Sequence, residues 1–254
     1  MINIAQYKSE IVSLMSSWRK LYDSNSHFVT DGVVNPENWF KQDIRPMFLL
    51  KEAYSDPSDD KIWDLSTDYL CKYSHSQSLW RTVSQFTEGL FETKKDKIFP
   101  YNELNFSDEH QVKLFNKIAV VNIKKANGKR SSNLSEINTI ATNQATLLYK
   151  EIKLCDPTII VCGYTFSALE NIVKEIENSN TDKVQNNFVS KNNERGQKGE
   201  WYYFMKLNGH DVLVLDYFHP SYRPPYLMKY YCLMGIYQMA LNDIACKNIE
   251  YKDI

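Results

Sequence analysis

Four apolar runs of strand length, separated by stretches with helical periodicity, constrain the fold of this chain more than any other feature. The runs are MFLLKEAY, KIAVVNI, TIIVCG and VLVLDYF, and the helical stretches between them include SLWRTVSQFTEGLF and TFSALENIVKEI. Strands that alternate with helices form mainly parallel sheets with helices on both faces. The sequence therefore predicts an α/β fold.

The remaining segments complete this predicted order. The opening INIAQYKSEIVSLMSSWRKLY has helical spacing, and NSHFVTDGVVNPENWF, rich in turn residues, is predicted to be an ordered loop. Ser135 and Glu136 start a long amphipathic stretch that predicts one helix to about Leu154. WYYFMKL and DVLVLDYF, separated by NGH, predict adjacent strands joined by an Asn-Gly turn.

Length and composition favour one domain. The chain has 254 residues, of which 43% are hydrophobic, and this suffices for one large core. We expect a single domain over 1–254, with 1–44 as an N-terminal helical and loop extension. The polar stretch 178–200 is predicted to be a mobile loop.

Charge and cysteine content restrict the setting of the protein. The net charge is −1, so phosphate contacts would have to come from local basic clusters. No apolar run approaches the roughly 18–20 residues that a membrane span needs, and the N-terminus lacks the order of a signal peptide. Five cysteines without a CxxC pair suit reduced thiols. These features predict a cytoplasmic protein.

Polar residues follow four of the predicted strands at their carboxyl ends. The segments are Lys51 to Tyr54, Asn122 to Arg130, Gly163 to Thr165, and His219-Pro220-Ser221. Ligands of open α/β sheets bind in the crevice beyond these ends. Pro220 cannot continue a central strand, so the histidine before it is held at the strand end.

The quoted segments, taken in order, resemble the uracil-DNA glycosylase superfamily. The resemblance covers residues 45–240 and includes an Arg-Gly pair at 195–196. It is nearest to the branch whose first motif is Gly-Glu-Ala-Pro-Gly and whose last is His-Pro-Ser or His-Pro-Ala. It implies a three-layer α/β/α fold with a central, mainly parallel four-stranded sheet. It also implies hydrolysis of the N-glycosidic bond of a base flipped out of DNA.

The resemblance assigns a role to three strand-end residues. His219 would donate a hydrogen bond to the departing base, and Asn122 would bind the Watson–Crick edge of that base. Glu52 would orient water or stabilise the positive sugar. The alternatives are a histidine bonded to a backbone carbonyl, an asparagine that caps a turn, and a surface carboxylate paired with Lys51 or Lys124.

Further residues are assigned with less specific patterns. Tyr54 or Tyr73 would stack on the flipped base, with core packing as the alternative. Asp56 and Asp216 are additional carboxylate candidates. Ser221 and Arg223, which follow the histidine, would contact DNA.

One basic cluster adjoins the predicted site. It surrounds Gly128 and is predicted to bind DNA phosphates, a solvated basic loop being the alternative. Its members are Lys124, Lys125, Lys129 and Arg130.

The chain also departs from the family pattern. Ala53 stands where the most active branch has a water-activating aspartate, and Lys51 and Tyr54 replace the glycine and proline of the first motif. These changes make hypoxanthine, xanthine or a phage-modified cytosine credible beside uracil, the last implying antiviral defence. Lys125 and Gln144 occupy the positions of iron–sulphur cysteines in the nearest branch. We therefore expect no cluster, no other metal and no cofactor.

These observations together predict a monofunctional DNA glycosylase of base-excision repair. Its partner would be DNA with a damaged or modified base, and we expect a monomer without membrane contact. The alternative is a non-catalytic nucleobase or single-stranded nucleic-acid binding module that keeps the pocket. An unrelated α/β domain with similar strand ends is the third possibility.

Overall fold

The computed structural model describes residues 3–24, 26–54, 62–102, 107–128, 132–179 and 201–245, without the side chains of Tyr54 and Asn127. Helices and strands alternate over most of this part of the chain. In chain order they are α1 Ile4–Arg19, β1 Phe28–Thr30, β2 Gly32–Val33, α2 Pro36–Trp39, β3 Pro46–Tyr54, β4 Ile62–Asp64, a π-helix Leu65–Leu70, α3 Ser78–Glu92, α4 Asp108–Phe115, β5 Ala119–Gly128, α5 Leu134–Asn143, α6 Ala145–Cys155, β6 Ile159–Gly163, α7 Phe166–Asn178, β7 Tyr202–Leu207, β8 His210–Tyr217 and α8 Tyr226–Ala245.

The strands form one mixed, mostly parallel sheet. Its order is β4-β1-β5-β3-β6-β8-β7, and β2 also pairs with β5. The central neighbours β5, β3, β6 and β8 run parallel, whereas β7 is antiparallel to β8, and β1 and β2 are antiparallel to β5. The α/β class is confirmed, but the sheet has eight strands in the described residues, not the four expected.

Helices cover both faces of the sheet, which explains why the central strands are apolar throughout. Met47 and Leu49 of β3 pack on one face with α1, α5, α6 and α7. Phe48 and Leu50 pack on the other face with α3, α4 and α8. Successive side chains of a strand point to opposite faces, so a strand buried on both sides has apolar residues at every position.

The N-terminal region differs from the expected extension. The segment predicted as a loop contains β1 and β2, which extend the sheet beside β5. Trp18 of α1 is fully buried, and its Nε1 donates to Oε1 of Gln144 at 2.8 Å. Residues 3–44 therefore contribute to the core. Turn-rich composition concealed strands of only two or three residues.

Two other local predictions have different outcomes. The Asn-Gly turn is confirmed, because Asn208 and Gly209 both have positive φ (49° and 81°) between β7 and β8. The single helix predicted from Ser135 is wrong: it divides into α5 and α6 at Gln144, whose φ of −114° and ψ of 19° are not helical. The predicted loop at 178–200 lies almost wholly outside the described residues.

The topology brings the carboxyl ends of the central strands to one edge. Leu50 is the register partner of Asn122, and Glu52 is the partner of Lys124. On the other side of β3, Gly163 of β6 pairs with Tyr217, two residues before His219. No helix among the described residues has the length and apolar character that a membrane crossing requires.

Candidate active site

A cavity of about 190 Å³ lies at this edge of the sheet. Glu52, Asn122 and His219 all line it, although they are far apart in the sequence. The other lining residues are Leu50, Ala53, Trp63, Leu65, Tyr69, Gln77, Leu79 and Trp80. A carboxylate, a carboxamide and an imidazole therefore converge on one space with largely apolar and aromatic walls.

His219 is held by the turn that follows β8. The backbone N–H of Ser221 donates to Nδ1 of His219 at 3.3 Å, and Oγ of Ser221 lies 2.7 Å from the same nitrogen. A backbone N–H can only donate, so Nδ1 is an acceptor and the proton of the neutral ring belongs on Nε2. This assignment makes Nε2–H the donor that His219 can offer to a ligand.

Burial and neighbouring charge keep the imidazole neutral. Burial, with further contributions from Lys51 and Lys229, lowers the pKa of His219 from 6.5 to about 4. Lys51 lies over the ring of Tyr164, with Nζ 5.2 Å from the ring centroid. At neutral pH the site therefore has a neutral donor in a region of positive potential, where negative charge on a leaving group is stabilised.

Lys229 is a buried residue of the site region that the sequence analysis missed. Its Nζ donates to the carbonyl oxygen of Pro220 at 2.8 Å and to Oγ1 of Thr82 at 3.3 Å. Burial lowers the pKa of Lys229, and the residue as a whole is 3% exposed. Lys229 thus fixes the His-Pro turn. The only signal in the sequence is a lysine within the otherwise apolar start of α8.

Asn122 is anchored by Asp31, which lies between β1 and β2. Oδ2 of Asp31 accepts from both the backbone N–H and Nδ2 of Asn122, each at 2.9 Å. Asn122 is 1% exposed. These contacts fix the side-chain amide, since only the nitrogen end can face a carboxylate acceptor. The sequence pattern Asp31-Gly32 indicated only a turn.

Lys125 lies behind this pair, and its predicted role in DNA binding is wrong. Its side chain is fully buried between Asp31 and Glu151, with Nζ 2.7 Å from Oε2 of Glu151. Burial alone would lower the pKa of Lys125, but the two carboxylates outweigh it and the pKa is raised. Burial raises the pKa of Glu151 well above its usual value. No phosphate can reach this ammonium.

Glu52 is nearly buried and paired. Its side chain is 5% exposed, and its Oε2 lies 3.3 Å from Nζ of Lys124. Lys124 also contacts Oε1 of Glu136 at 2.7 Å, and although burial opposes it, the two carboxylates raise the pKa of Lys124. The alternative was a surface carboxylate paired with Lys51 or Lys124. Glu52 is paired with Lys124, as that alternative states, but it is nearly buried and does not lie on the surface. Contact of Lys124 with DNA stays a prediction.

The aromatic wall of the cavity comes from residues that the sequence analysis did not select. It consists of Trp63, Tyr69 and Trp80. The Tyr69 ring stacks on His75 at 3.8 Å, and Nε1 of Trp63 is buried without a hydrogen-bond partner in the described structure. Tyr73 is 60% exposed and does not line the cavity, so the structure does not bring it to the other candidate residues, and its stacking on a base stays a prediction. The side chain of Tyr54 lies outside the described residues.

Gly163 makes room for the histidine turn. A Cβ added at this position would lie 2.7 Å from Cδ2 of Leu50, 3.3 Å from Cδ of Pro220 and 3.5 Å from Cδ2 of His219. A side chain at this position would therefore displace Leu50 and press on Pro220 of the turn after β8.

The remaining predicted residues have different positions. Ser221 and Arg223 are exposed in the segment between β8 and α8, and their contact with DNA stays a prediction. Lys129, Arg130 and Asp56 lie outside the described residues. Asp216 does not line the cavity. Burial, followed by the charge of Glu170, raises the pKa of Asp216 to about 6.

A larger groove of about 800 Å³ lies along α1, β1 and β2. Its walls are mostly apolar, and Asp31 is the one residue it shares with the network behind Asn122. None of the residues assigned to the site from the sequence lines it. The smaller cavity is therefore the candidate active site, because Glu52, Asn122 and His219 converge there.

The candidate site has no evident set of metal ligands. Within the described ranges, no group of three or more His, Cys, Asp or Glu side chains is positioned to hold a metal ion. The two positions of the expected cluster cysteines have other roles: Lys125 is ion-paired, and Gln144 accepts from Trp18 and Tyr22.

Comparison of the chain with protein-family models and with curated proteins gives no match.

Proposed function

We propose that this protein is a DNA glycosylase that hydrolyses the N-glycosidic bond of a damaged or modified base flipped out of the strand. The observation that supports the proposal is the meeting of Glu52, Asn122 and His219 in one cavity at the carboxyl edge of the sheet. The resemblance to uracil-DNA glycosylases selects the same three residues from sequence order alone. Uracil is the first base to test.

The proposed reaction uses each polar group once. The bond between C1′ and the base nitrogen breaks, and its electron pair leaves with the base. Nε2–H of His219 donates to the base oxygen on which this charge accumulates, in a cavity with largely apolar walls. Asn122 holds the edge of the base through its amide. Water then adds to C1′, and its released proton neutralises the base.

Glu52 would act on the sugar. Its carboxylate would stabilise positive charge at C1′ or orient the attacking water. Pairing with Lys124 at 3.3 Å reduces the negative charge that it can offer. This pairing, together with Ala53 in place of an aspartate, favours a second candidate function: a non-catalytic module that binds a nucleobase or single-stranded nucleic acid in the same cavity.

Abasic-site formation distinguishes these functions. Single- and double-stranded oligonucleotides with uracil, hypoxanthine, xanthine or a modified cytosine would be incubated at low salt with the wild type and with His219→Ala and Asn122→Ala. His110→Ala is the matched control, because His110 pairs with Glu88 on the surface, away from the cavity. Phosphate contacts make binding salt-dependent, hence the low salt.

We expect abasic sites with at least one base from the wild type and from His110→Ala. We expect a loss of at least 100-fold in His219→Ala, consistent with removal of an oxyanion donor. Binding of a modified oligonucleotide without any abasic sites would instead support the binding module. Cleavage that persists in His219→Ala would exclude the proposed role of the histidine.

A further inference from the structure

Asn122 and His219 offer a ligand in the cavity both donors and an acceptor. Asn122 gives one hydrogen of Nδ2 to Asp31, which leaves the second Nδ2 hydrogen and the acceptor Oδ1 for a ligand. In the described structure the protein supplies no acceptor for Nε2–H of His219, which can therefore donate to a ligand, whereas the unpaired Nε1 of Trp63 is fully buried. A ligand that matches Asn122 and His219 has a carbonyl oxygen for each donor and an N–H for Oδ1.

Asp31 also fixes the order in which Asn122 presents its donor and acceptor. A reversed amide would place Oδ1 against the carboxylate at the 2.9 Å separation now occupied by Nδ2, and would lose a charge-assisted hydrogen bond. Asp31 itself cannot rotate away, because it also accepts from the backbone N–H of Asn122 and is ion-paired with Lys125.

We propose that Asp31 is a positioning residue that locks the amide of Asn122 and makes the cavity select lactam bases over amino bases. Lactam bases, such as uracil, hypoxanthine and xanthine, carry a ring N–H beside a carbonyl. Amino bases, such as cytosine and adenine, carry a ring acceptor beside an NH₂ group, the reverse order. An amino base would place its NH₂ group against the donor of the locked amide and its ring nitrogen against Oδ1, so both contacts would be lost.

This inference rests on the proposed base-binding function but does not require cleavage. The selected class includes the products of deamination, because deamination converts an amino base into a lactam base. It also includes thymine and guanine, which the lock alone does not reject. The modified-cytosine substrate is disfavoured where the amino group is retained.

The test is the binding preference of Asp31→Asn, which removes the charge and keeps the size. Single-stranded oligonucleotides with one 2′-fluoro-2′-deoxyuridine or one 2′-fluoro-2′-deoxycytidine serve as probes, since the fluorine suppresses hydrolysis. Glu151→Gln is the control: it alters the same buried cluster without touching Asn122. Abasic-site formation with unmodified uracil is measured in parallel.

We expect the wild type to bind the uridine probe at least tenfold more tightly than the cytidine probe. Asp31→Asn should reduce this ratio about tenfold, whereas Glu151→Gln should lower stability and leave the ratio within twofold. A change that was only structural would lower both affinities and keep their ratio.

Each result separates the two proposals. Cleavage of uracil with an unchanged ratio in Asp31→Asn would overturn the lock and leave the glycosylase intact. An Asp31-dependent ratio without any cleavage would support the lock and reject the glycosylase. Absence of a uridine preference in the wild type would overturn the lock in either case.

A measurement on the wild type covers the case in which Asp31→Asn does not fold. The two Nδ2 hydrogens of Asn122 can be followed separately by NMR. We expect one to be protected from solvent exchange by Asp31 and the other to become protected when the uridine probe binds. Equal, rapid exchange of both hydrogens would overturn the proposal.

Discussion

Ser221 and His219 are joined through a single ring nitrogen: the backbone N–H of Ser221 donates to Nδ1 of His219 at 3.3 Å, and the Ser221 hydroxyl lies 2.7 Å from it. The contact fixes both the ring orientation and the tautomer. It therefore determines which hydrogen the imidazole can offer inside the cavity.

The charge environment of His219 can be measured by NMR titration. In the wild type we expect a pKa of about 4 and a neutral Nε2–H tautomer. Lys51→Met should raise the pKa, because it removes a nearby positive charge, but not to 6.5, because burial is the larger cause. Lys8→Met, which removes an exposed lysine paired with Glu37, is the control and should leave the pKa unchanged. An unchanged value in Lys51→Met would contradict the assigned electrostatics.

The depressed pKa of His219 also predicts how stability depends on pH. The unfolded histidine, with a pKa near 6.5, binds a proton more readily than the folded one, so the free energy of unfolding falls as pH decreases from 6.5 to 4. At about 1.4 kcal/mol per pKa unit, and allowing for the partial exposure of the ring, His219 contributes about 2 kcal/mol to this loss.

Urea unfolding of the wild type and His219→Asn across this pH range measures that contribution. Asp216, whose raised pKa acts in the opposite direction, is present in both proteins and cancels in the difference. The difference in unfolding free energy between the two proteins should therefore change by about 2 kcal/mol in favour of the variant as pH falls. Parallel curves would show that His219 titrates normally.

Gly163→Ala tests the close approach beneath the histidine turn. The added methyl would lie 2.7 Å from Leu50, whose side chain must move, and 3.3 Å from Pro220, which must give by a few tenths of an ångström. We expect a loss of about 1–3 kcal/mol in stability and a fall in abasic-site formation. Gly235→Ala in α8 is the matched control, since a Cβ there has no neighbour within 4 Å, and it should be neutral or slightly stabilising. Equal behaviour of the two variants would exclude a special role of Gly163.

Substitutions at Tyr69 and Tyr73 test which of the two tyrosines contacts the base: Tyr69, which lines the cavity, or Tyr73, which was predicted from the sequence. Truncation of Tyr69, which lines the cavity, should reduce kcat/KM for base removal roughly tenfold or more, and Tyr69→Phe should retain most activity. Tyr73→Ala should stay within twofold, because the side chain is 60% exposed and outside the cavity. Circular dichroism checks that Tyr69→Ala is folded. The reverse order of effects would restore Tyr73 to the site.

Lys124 and Lys125 show how a site prediction from sequence can fail. Both were assigned to a basic loop, because KKANGK is polar and contains a glycine. The structure instead continues β5 to Gly128, where β1 and β3 supply its hydrogen-bond partners. Adjacent residues of a strand point to opposite faces. Lys124 consequently meets Glu52, and Lys125 enters the buried network of Asp31 and Glu151.

The sequence by itself determined the α/β class, the Asn-Gly hairpin and the three residues that meet in the cavity. It could do so because continuous apolar runs, turn geometry and the common edge of parallel strands follow local or topological rules, and because the family resemblance selects three residues at that edge. Only the tertiary structure decided that Asp31 and Lys229 support the site, that Tyr69 rather than Tyr73 forms its wall, and that Lys125 is buried. Those outcomes depend on which distant side chains fill the space beside each strand, and no local pattern encodes that.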